Sequence, residues 1–265
     1  MKKIFSKDNR FIKLARQLNQ RKQREKTGLF IAEGVRSLED VLRSDYTLQA
    51  ILINSVFKTK TEAKRLLSKV DKSVPLMEVE DSLFQELALT ENTQGVMVIV
   101  RQKKHILETF LTSSPQFIVV ADSVQDPGNL GTIIRTTAAA GASCLVVTKG
   151  SVDIYNPKVV RASMGGIFFL PVLSVENSGS FVELLKLNGY RIVVGDLEGQ
   201  IMYYEADLKQ PVALVIGNEN SGPSQLFKKN ADLIIKIPML GDVESLNAGV
   251  AAGILIYDAV RQNFT

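Results

Sequence analysis

The sequence is poor in the residues that usually build metal sites and covalent catalytic sites. Its 265 residues include a single cysteine, a single histidine and no tryptophan. His105 alone supplies neither a histidine-rich metal site nor a convincing Ser-His-Asp triad. Cys144 stands in an apolar run, where thiols are usually inert, and a lone cysteine cannot form an internal disulfide. Metal-dependent and covalent nucleophilic mechanisms are therefore disfavoured, and no metal is predicted.

Long hydrophobic runs are also missing. No uninterrupted apolar stretch is long enough to cross a bilayer, and the charged amino terminus lacks the apolar segment of a secretion signal. Hydrophobic residues make up 45% of the chain and charged residues 23%, which is ordinary globular usage. The sequence therefore predicts a soluble cytoplasmic protein with no membrane partner, long enough for two modest domains.

Positive charge is concentrated at the amino terminus. Residues 1–26 contain ten lysines and arginines against two acidic residues, whereas the rest of the chain is net acidic. Clustered cations gain affinity by releasing counterions from phosphates, so RNA or DNA is predicted as a partner. The alternative is a surface helix with Phe11, Leu14 and Leu18 inward and a basic face that is merely solvated.

Short apolar segments alternate with amphipathic ones along the first hundred residues. Strands are predicted at residues 29–32, 51–53, 75–79 and 96–100, and helices at 35–43, 62–70 and 82–89. This alternation favours an α/β architecture. Residues 101–115 interrupt it with Arg-Gln-Lys-Lys and Thr-Ser-Ser-Pro. They are therefore predicted to link a domain of residues 1–100 to a domain of residues 116–265.

The alternation restarts with stronger strands in the second half. Strands are predicted at residues 117–121, 144–147, 168–170, 190–194, 212–216 and 233–237, followed by a long helix over 246–261. Continuous apolar strands flanked by helices are typical of a mostly parallel sheet that is covered on both faces. The fold class predicted for the second domain is accordingly α/β.

Small and polar residues follow three of these strands. The first cluster is Asp126-Pro127-Gly128-Asn129-Leu130-Gly131, leading to Arg135; the second is Ile216-Gly217-Asn218-Glu219; the third is Glu244-Ser245-Leu246-Asn247. Open α/β sheets bind ligands outside the carboxyl ends of their strands, where distant side chains converge. The three clusters are therefore predicted to form one composite site.

Each cluster alone also has a structural explanation. Asn129 could cap the helix of the first cluster, and Glu219 could cap a helix that begins near Pro223. Ser245 and Asn247 could cap the last helix. The glycine spacing does not match the G-x-G-x-x-G fingerprint, so a nicotinamide or flavin site has little support.

Together, the three clusters and Ile237-Pro238-Met239 resemble the motifs of the SpoU (TrmH-like) RNA 2′-O-ribose methyltransferases of the SPOUT class. The motifs occur in the same order and on the same predicted elements as in that family, and the resemblance covers about residues 116–262. The first half is similar to the family's substrate-binding domain of ribosomal-protein L30e type, through Phe30-Ile31-Ala32-Glu33-Gly34 and Thr93-Gln94-Gly95-Val96. Asn220, Pro223 and Gly249 depart from the usual motif residues.

The resemblance implies an L30e-like amino-terminal domain and a carboxy-terminal domain with a deep trefoil knot. It also implies S-adenosyl-L-methionine as the cofactor and a homodimer with sites near the subunit interface. Gly217, Ile237 and Leu246 would contact the cofactor. The catalytic and substrate-positioning set implied by the resemblance is Asn129, Arg135, Glu219, Ser245 and Asn247.

The predicted reaction is methyl transfer to a ribose 2′-hydroxyl, with 23S rRNA as the substrate. A tRNA substrate, methylation of a base, and a non-catalytic RNA-binding factor in ribosome assembly are the alternatives. The resemblance implies that Arg135 activates the 2′-hydroxyl. A guanidinium is a poor general base, so stabilisation of the developing alkoxide by Arg135, oriented by Glu219, is the physically easier role. The residues predicted to bind RNA are Lys13, Arg16, Arg21, Lys22 and Arg36.

Overall fold

The structure, a computed structural model, describes residues 2–112, 116–209 and 211–264. Residues 113–115, at the end of the predicted linker, lie outside the described residues. The chain forms two compact units. The first contains the residues up to Lys103 together with Tyr155–Phe168, and the second contains the remainder.

The first unit is built on a mixed sheet whose described strands have the order β1-β4-β3-β5-β2. These strands are β1 (Lys2–Ile4), β2 (Leu29–Glu33), β3 (Leu48–Ile53), β4 (Leu76–Val79) and β5 (Val96–Arg101). The helices between them are α1 (Arg10–Gln17), α2 (Arg21–Thr27), α3 (Val35–Arg43), α4 (Ser55–Thr59), α5 (Thr61–Leu67) and α6 (Asp81–Leu87). β5 runs antiparallel to β2 and β3, whereas the pairs β1–β4 and β3–β4 are parallel.

The basic amino-terminal segment forms two helices rather than one. α1 buries Ile12, Ala15 and Leu18 in the core of the first unit, whereas Phe11 and Leu14 are partly buried against it. The predicted inner stripe was therefore right at Leu18 and displaced at the other two positions. Apolar residues at both 11–12 and 14–15 left the register of the stripe ambiguous, and packing against the sheet decided it.

The two segments that resemble the L30e type lie together in the first unit. The Glu33 carboxylate accepts hydrogen bonds from the backbone N–H of Leu89 at 2.5 Å and from the Thr90 hydroxyl at 3.0 Å. The side-chain oxygen of Gln94 accepts from the backbone N–H of Val35 at 2.7 Å, at the start of α3. The loop before β5 is thus fastened to the end of β2.

The second half of the sequence forms a larger sheet in which every described strand pair is parallel. Its strands are β6 (Phe117–Ala121), β7 (Cys144–Thr148), β8 (Val172–Val175), β9 (Arg191–Gly195), β10 (Ile201–Met202), β11 (Val212–Ile216) and β12 (Leu233–Lys236). The helices after β5 are α7 (Leu107–Leu111), α8 (Pro127–Ala139), α9 (Pro157–Ala162), α10 (Ser178–Leu187), α11 (Gln225–Asn230) and α12 (Ala248–Phe264), of which α9 belongs to the first unit.

The order of this sheet, β10-β12-β9-β11-β6-β7-β8, places β11 and β6 side by side near its middle. Every residue of β6, β7 and β11 is buried, as continuous apolar strands in a doubly covered sheet require. The predicted α/β class and parallel sheet are confirmed. Among the described residues, no helix is long and apolar enough to cross a membrane.

The strand predicted at 168–170 is wrong. Gly166–Phe168 forms a short 3-10 helix, and the strand begins at Val172. Gly165, with φ of +89°, turns the chain just before this apolar run. A short apolar run does not by itself distinguish a buried turn from a strand.

Residues 155–168 belong to the first unit although they lie between β7 and β8 in sequence. The ring of Tyr155 lies 4.6 Å from that of Phe30, and the ring of Phe168 lies 5.4 Å from that of Tyr46, measured between centroids. Lys103 completes the cluster, because its ammonium lies 5.0 Å from the Tyr46 centroid. An aromatic core of the first unit therefore depends on residues supplied from the second half of the chain.

Candidate active site

The three predicted clusters come together at the carboxyl ends of β6, β11 and β12. The side-chain amide of Asn129 donates to the Glu219 carboxylate at 3.0 Å, across 90 positions of sequence. The side-chain amide of Asn247 donates to the Asn129 carbonyl at 2.7 Å, across 118 positions. One chain of hydrogen bonds, Asn247 to Asn129 to Glu219, thus joins all three clusters.

Glu219 holds the start of α8. Its carboxylate accepts from the backbone N–H groups of Gln125 at 3.1 Å and Asp126 at 3.0 Å, besides the Asn129 amide. Burial by itself would raise the pKa of Glu219, but these hydrogen bonds outweigh burial and the pKa falls below its usual value. Glu219 is therefore a fixed anion, and its lowered pKa makes it unsuited to act as a general base.

Two of the helix caps offered as structural alternatives are not formed. Asp126, rather than Asn129, caps α8, because its side chain accepts from the backbone N–H of Asn129 at 2.8 Å. α11 begins at Gln225 with Ser224 at its cap position, so Glu219 does not cap that helix. Asn129 and Glu219 are therefore available to bond with each other.

Asn247 does cap the last helix. Its side-chain oxygen accepts from the backbone N–H groups of Gly249 at 2.9 Å and Val250 at 3.2 Å. α12 consequently begins at Ala248, after Leu246 rather than at it. Gly249 allows α12 to lie close to α8, since a Cβ there would stand 3.0 Å from the side chain of Thr132.

A cleft of about 570 Å³ opens beside this hydrogen-bonded chain, a volume typical of cofactor sites. Its wall includes five of the predicted site residues: Gly217, Glu219, Ile237, Ser245 and Leu246. Asn129, Asn247 and Arg135 do not line it. The cleft therefore contains the whole predicted cofactor set and part of the predicted catalytic set.

The cleft suits a flat heteroaromatic group that carries polar edges. Ile216, Ile237, Met239 and Leu255 supply apolar walls. Among the described residues, the backbone groups of 238–246 make no hydrogen bonds to other backbone groups, so they are available to a ligand. Gly217 lies against the backbone of Gly222 and Pro223, where a Cβ would overlap both. These features fit the predicted S-adenosylmethionine, with its adenine, sulfonium and zwitterionic tail.

The sequence did not nominate the carboxyl end of β9, which also lines the cleft. Asp196 pairs there with Lys228 at 2.6 Å, and their side chains are only 6% and 19% exposed. The hydrogen bond with Asp196 raises the pKa of Lys228 above its usual value. Gly195-Asp196 follows an apolar strand just as the other clusters do, and this placement is the signal that could have found it.

Arg135 is exposed on α8, and among the described residues it forms no ion pair. The oxygens of Glu219 are occupied by the start of α8 and by Asn129. The expectation that Glu219 orients Arg135 is therefore wrong within one chain. Six residues of α8, about 9 Å of helix rise, separate Arg135 from Asn129, which does bond Glu219.

Most of the residues predicted to bind RNA are paired with acids. Ion pairs join Lys13 to Asp8 at 2.8 Å, Arg16 to Glu86 at 2.7 Å, Arg21 to Glu25 at 2.7 Å and Arg36 to Asp40 at 3.5 Å. Lys22 is exposed and has no ion pair among the described residues. Arg24, another cation of this segment, is buried and donates to the backbone oxygen of Leu18. The free positive charge of the segment is thus smaller than its composition suggested.

Metal binding and thiol chemistry have no support among the described residues outside these clusters. Among the described residues, no group of three or more histidine, cysteine, aspartate or glutamate side chains could hold a metal ion. Burial raises the pKa of the Cys144 thiol to about 12, which makes the thiolate scarce at neutral pH.

Comparison with known families matches both halves of the chain. Residues 116–257 match the sequence model of the SpoU rRNA Methylase family. Residues 9–98 match the model of the MRM3-like substrate binding domain. The two matches together span most of the chain.

Named relatives align over nearly the full length. The 23S rRNA (guanosine(2553)-2′-O)-methyltransferase RlmP of Bacillus subtilis is 32% identical, with 97% of this chain and 98% of that protein covered. The 23S rRNA (uridine(2479)-2′-O)-methyltransferase of Streptomyces viridochromogenes is 32% identical, with 100% and 93% covered. The crystal structure of an AdoMet-bound rRNA methyltransferase from Sinorhizobium meliloti has a TM-score of 0.89 at 31% identity, covering 98% of this chain and 97% of that one.

Proposed function

The chain belongs to the SpoU rRNA methylase family, and on that basis we propose that it transfers a methyl group from S-adenosylmethionine to a ribose 2′-hydroxyl of 23S rRNA. The observation that carries the proposal is the hydrogen-bonded chain of Asn247, Asn129 and Glu219 at the edge of the cleft. It unites the three family motifs beside a site that suits the cofactor.

The cofactor would supply a methyl group already activated on a positively charged sulfonium. The protein then has to bind the cofactor, align the ribose hydroxyl with it and stabilise the developing alkoxide. Gly217, Ile237 and Leu246 hold the cofactor in the cleft. Backbone groups of the loop 238–246 recognise its polar edges. Holding acceptor and donor in line contributes much of the acceleration, because orientation replaces a bimolecular encounter.

Asn129 is the centre of the proposed substrate-positioning set. Its amide donates to Glu219 and its carbonyl accepts from Asn247, so both ends of the side chain are fixed. This immobility suits a residue that defines where the ribose lies. Ser245 lines the cleft within reach of a ligand.

Arg135 is proposed to stabilise the alkoxide that develops on the 2′-oxygen. Its guanidinium stays protonated and therefore acts as a fixed positive charge rather than as a base. Its exposed position on α8 is compatible with a site completed in a dimer.

A homodimer is part of the proposal. Val250 and Tyr257 are 52% and 50% exposed, and they lie seven residues apart on one face of α12. Apolar side chains repeated along a helix face suit a self-complementary contact. Such a contact would bring α12, which carries the third motif, to the interface.

The remaining elements of the proposal concern domains, topology and location. Residues 1–100 would bind rRNA and residues 116–265 would carry the methyl transfer, joined by 101–115. The match to a substrate-binding domain and the exposed Lys22 support the first assignment. A trefoil knot in the second domain follows from the family resemblance, and the match to the family model and the parallel sheet are compatible with it. A protein that modifies rRNA would work in the cytoplasm.

The decisive experiment is transfer of tritiated methyl from S-adenosylmethionine to an unmodified 23S rRNA transcript. The wild-type protein should label the rRNA, and nuclease digestion should leave a resistant dinucleotide, because a 2′-O-methyl group blocks cleavage at the adjacent phosphate. Arg135→Ala should abolish labelling and keep cofactor affinity in calorimetry. Labelling of tRNA alone would favour a tRNA methyltransferase, and labelling of a base would favour a base methyltransferase. No labelling of any RNA would favour a non-catalytic RNA-binding factor.

A further inference from the structure

The cofactor cleft occupies one side of the carboxyl edge of the parallel sheet. Its walls come from the residues that follow β9, β11 and β12, together with the third motif at the start of α12. None of the residues that line the cleft comes from the loops directly after β6 or β7. In the sheet, β6 and β7 lie on the far side of β11 from β9. The hydrogen-bonded pair of Glu219 and Asn129 therefore lies between two regions of this edge: the cleft on one side, and the ends of β6 and β7 on the other.

A cofactor bound in the cleft would occupy the side of β9, β11 and β12. Methyl transfer in line requires the attacking oxygen to lie opposite the sulfur, with the methyl group between them. The ends of β6 and β7 would then be the open part of this edge for the ribose and its phosphates.

The turn that follows β7 is held rigidly at this place. The backbone N–H of Lys149 donates to Val175 at 3.1 Å, and its carbonyl accepts from the Ser123 hydroxyl at 3.2 Å. Ser123 has φ of +58°, uncommon for a residue with a side chain, and Gly150 beside it has φ of +97°. Strained backbone of this kind persists where the surrounding structure enforces it, often at functional sites.

The same serine ties this turn to the cofactor loop. The Ser123 carbonyl accepts from the side-chain amide of Asn218 at 2.8 Å, one residue before Glu219. Through Ser123, the backbone of Lys149 is thus held in place relative to the loop of Asn218 and Glu219 that lines the cleft.

The backbone of Lys149 is held by hydrogen bonds, whereas its side chain is open to solvent. It is exposed, and among the described residues it makes no ion pair, unlike Lys13, Arg16 and Arg21. Asp126 and Glu219 place negative charge at the neighbouring strand ends, so an approaching phosphodiester needs a cation here. A lysine offers a compact charge on a flexible stem, which suits phosphate.

We infer that Lys149 binds a backbone phosphate of the RNA beside the ribose that is methylated. This inference rests on the proposed function and assigns its substrate a contact in the methyltransferase half. Lys149 is a positioning residue: it contacts the RNA backbone and takes no part in the chemistry at the methyl group.

The test compares Lys149→Gln with Lys149→Arg and with Lys209→Gln. Lys209 is also exposed, but it precedes β11 and so lies at the opposite, amino-terminal edge of the same sheet. Binding of an unmodified 23S rRNA transcript is measured by filter retention over a series of salt concentrations, without turnover. Initial rates then give kcat and the KM for RNA, and calorimetry gives the Kd of S-adenosylmethionine.

We expect Lys149→Gln to weaken RNA binding about three- to tenfold and to reduce the salt slope by about 0.7–0.9, the loss of one phosphate contact. The KM for RNA should rise by the same factor, whereas kcat and the cofactor Kd stay within about twofold. Lys149→Arg should restore affinity, and Lys209→Gln should match the wild type.

Unchanged affinity and slope in Lys149→Gln would overturn the inference. So would equal losses in Lys149→Arg and Lys149→Gln, because these would indicate a structural role of the side chain. A wild-type protein that binds the transcript but labels no RNA would count against the proposed function, while the binding series would still decide the role of Lys149.

Discussion

The side-chain amide of Asn247 donates a 2.7 Å hydrogen bond to the side-chain carbonyl of Asn129. The oxygen of the same Asn247 side chain caps α12 through Gly249 and Val250. One residue therefore starts the last helix and fixes the residue at the centre of the proposed site. Its two roles use different atoms, so substitutions can separate them.

Asn247→Asp should separate capping from positioning. Aspartate keeps an oxygen for the cap but loses the amide that donates to Asn129. The cap of α12 should be kept, but the new oxygen faces the Asn129 carbonyl, so we expect a loss of about 1–3 kcal/mol of unfolding free energy. Methyl transfer should fall about 100-fold as the site loses alignment. Asn247→Ala should lose the same activity and a further ~1 kcal/mol of unfolding free energy. Urea denaturation and initial rates measure the two effects; full activity in Asn247→Asp would refute the positioning role.

Glu219→Gln should destabilise the protein in a pH-dependent manner. Glutamine keeps one acceptor oxygen, but its amide nitrogen cannot accept, so at least one of the hydrogen bonds from Gln125, Asp126 and Asn129 is lost. We expect a loss of about 1–3 kcal/mol of unfolding free energy at neutral pH. The folded-state pKa of Glu219 lies below the usual 4.5. Its ionised form therefore stabilises the fold fully above pH 4.5, and the advantage is lost as the pH falls through the lowered pKa.

The measurement for Glu219 is urea denaturation of both proteins at a series of pH values. The gap in unfolding free energy between wild type and variant should be constant near neutrality and shrink in acid. A gap that persists undiminished through the acid range would mean that the charge of Glu219 is not what holds the start of α8.

Gly217→Ala should weaken cofactor binding. A Cβ at this position would overlap the backbone of Gly222 and Pro223 and lie 2.6 Å from the Pro223 ring, so the loop that lines the cleft must move. We expect the Kd for S-adenosylmethionine to rise at least about tenfold, or 1.4 kcal/mol. Gly253→Ala is the matched control, since Gly253 does not line the cleft and a Cβ there meets no atom within 4 Å. Equal cofactor affinities of the two variants in calorimetry would contradict the assignment.

Phe168→Ala should destabilise the first unit. The ring is 3% exposed and lies 6.2 Å from that of Phe30 and 5.4 Å from that of Tyr46. Removing it should cost about 3–5 kcal/mol of unfolding free energy. The adjacent Phe169 is 51% exposed, and Phe169→Ala should cost less than about 1 kcal/mol. Similar unfolding midpoints for the two variants would show that residues 155–168 are dispensable for the first unit.

The predictions that succeeded from sequence share a local origin. The strands at 117–121 and 212–216 were predicted to the residue because continuous apolar runs ended in turn-forming residues. Convergence of the three clusters followed from a general property of parallel sheets. The failures were matters of partner choice. Helix capping by Asn129 was the structural alternative, and Asn129 instead joins Glu219 and Asn247; Phe168 was placed in a strand and instead fills an aromatic core.

By itself, the sequence determined which segments become strands and helices, and which polar residues stand at the strand ends, because these follow from apolar spacing and turn chemistry within a few residues. Only the tertiary structure decided which of those polar groups meet, that Asp196 and Lys228 share the cleft wall, and that residues 155–168 belong to the first unit. Such pairings join positions far apart in the chain. Their geometry depends on how whole layers pack, and no local pattern records it.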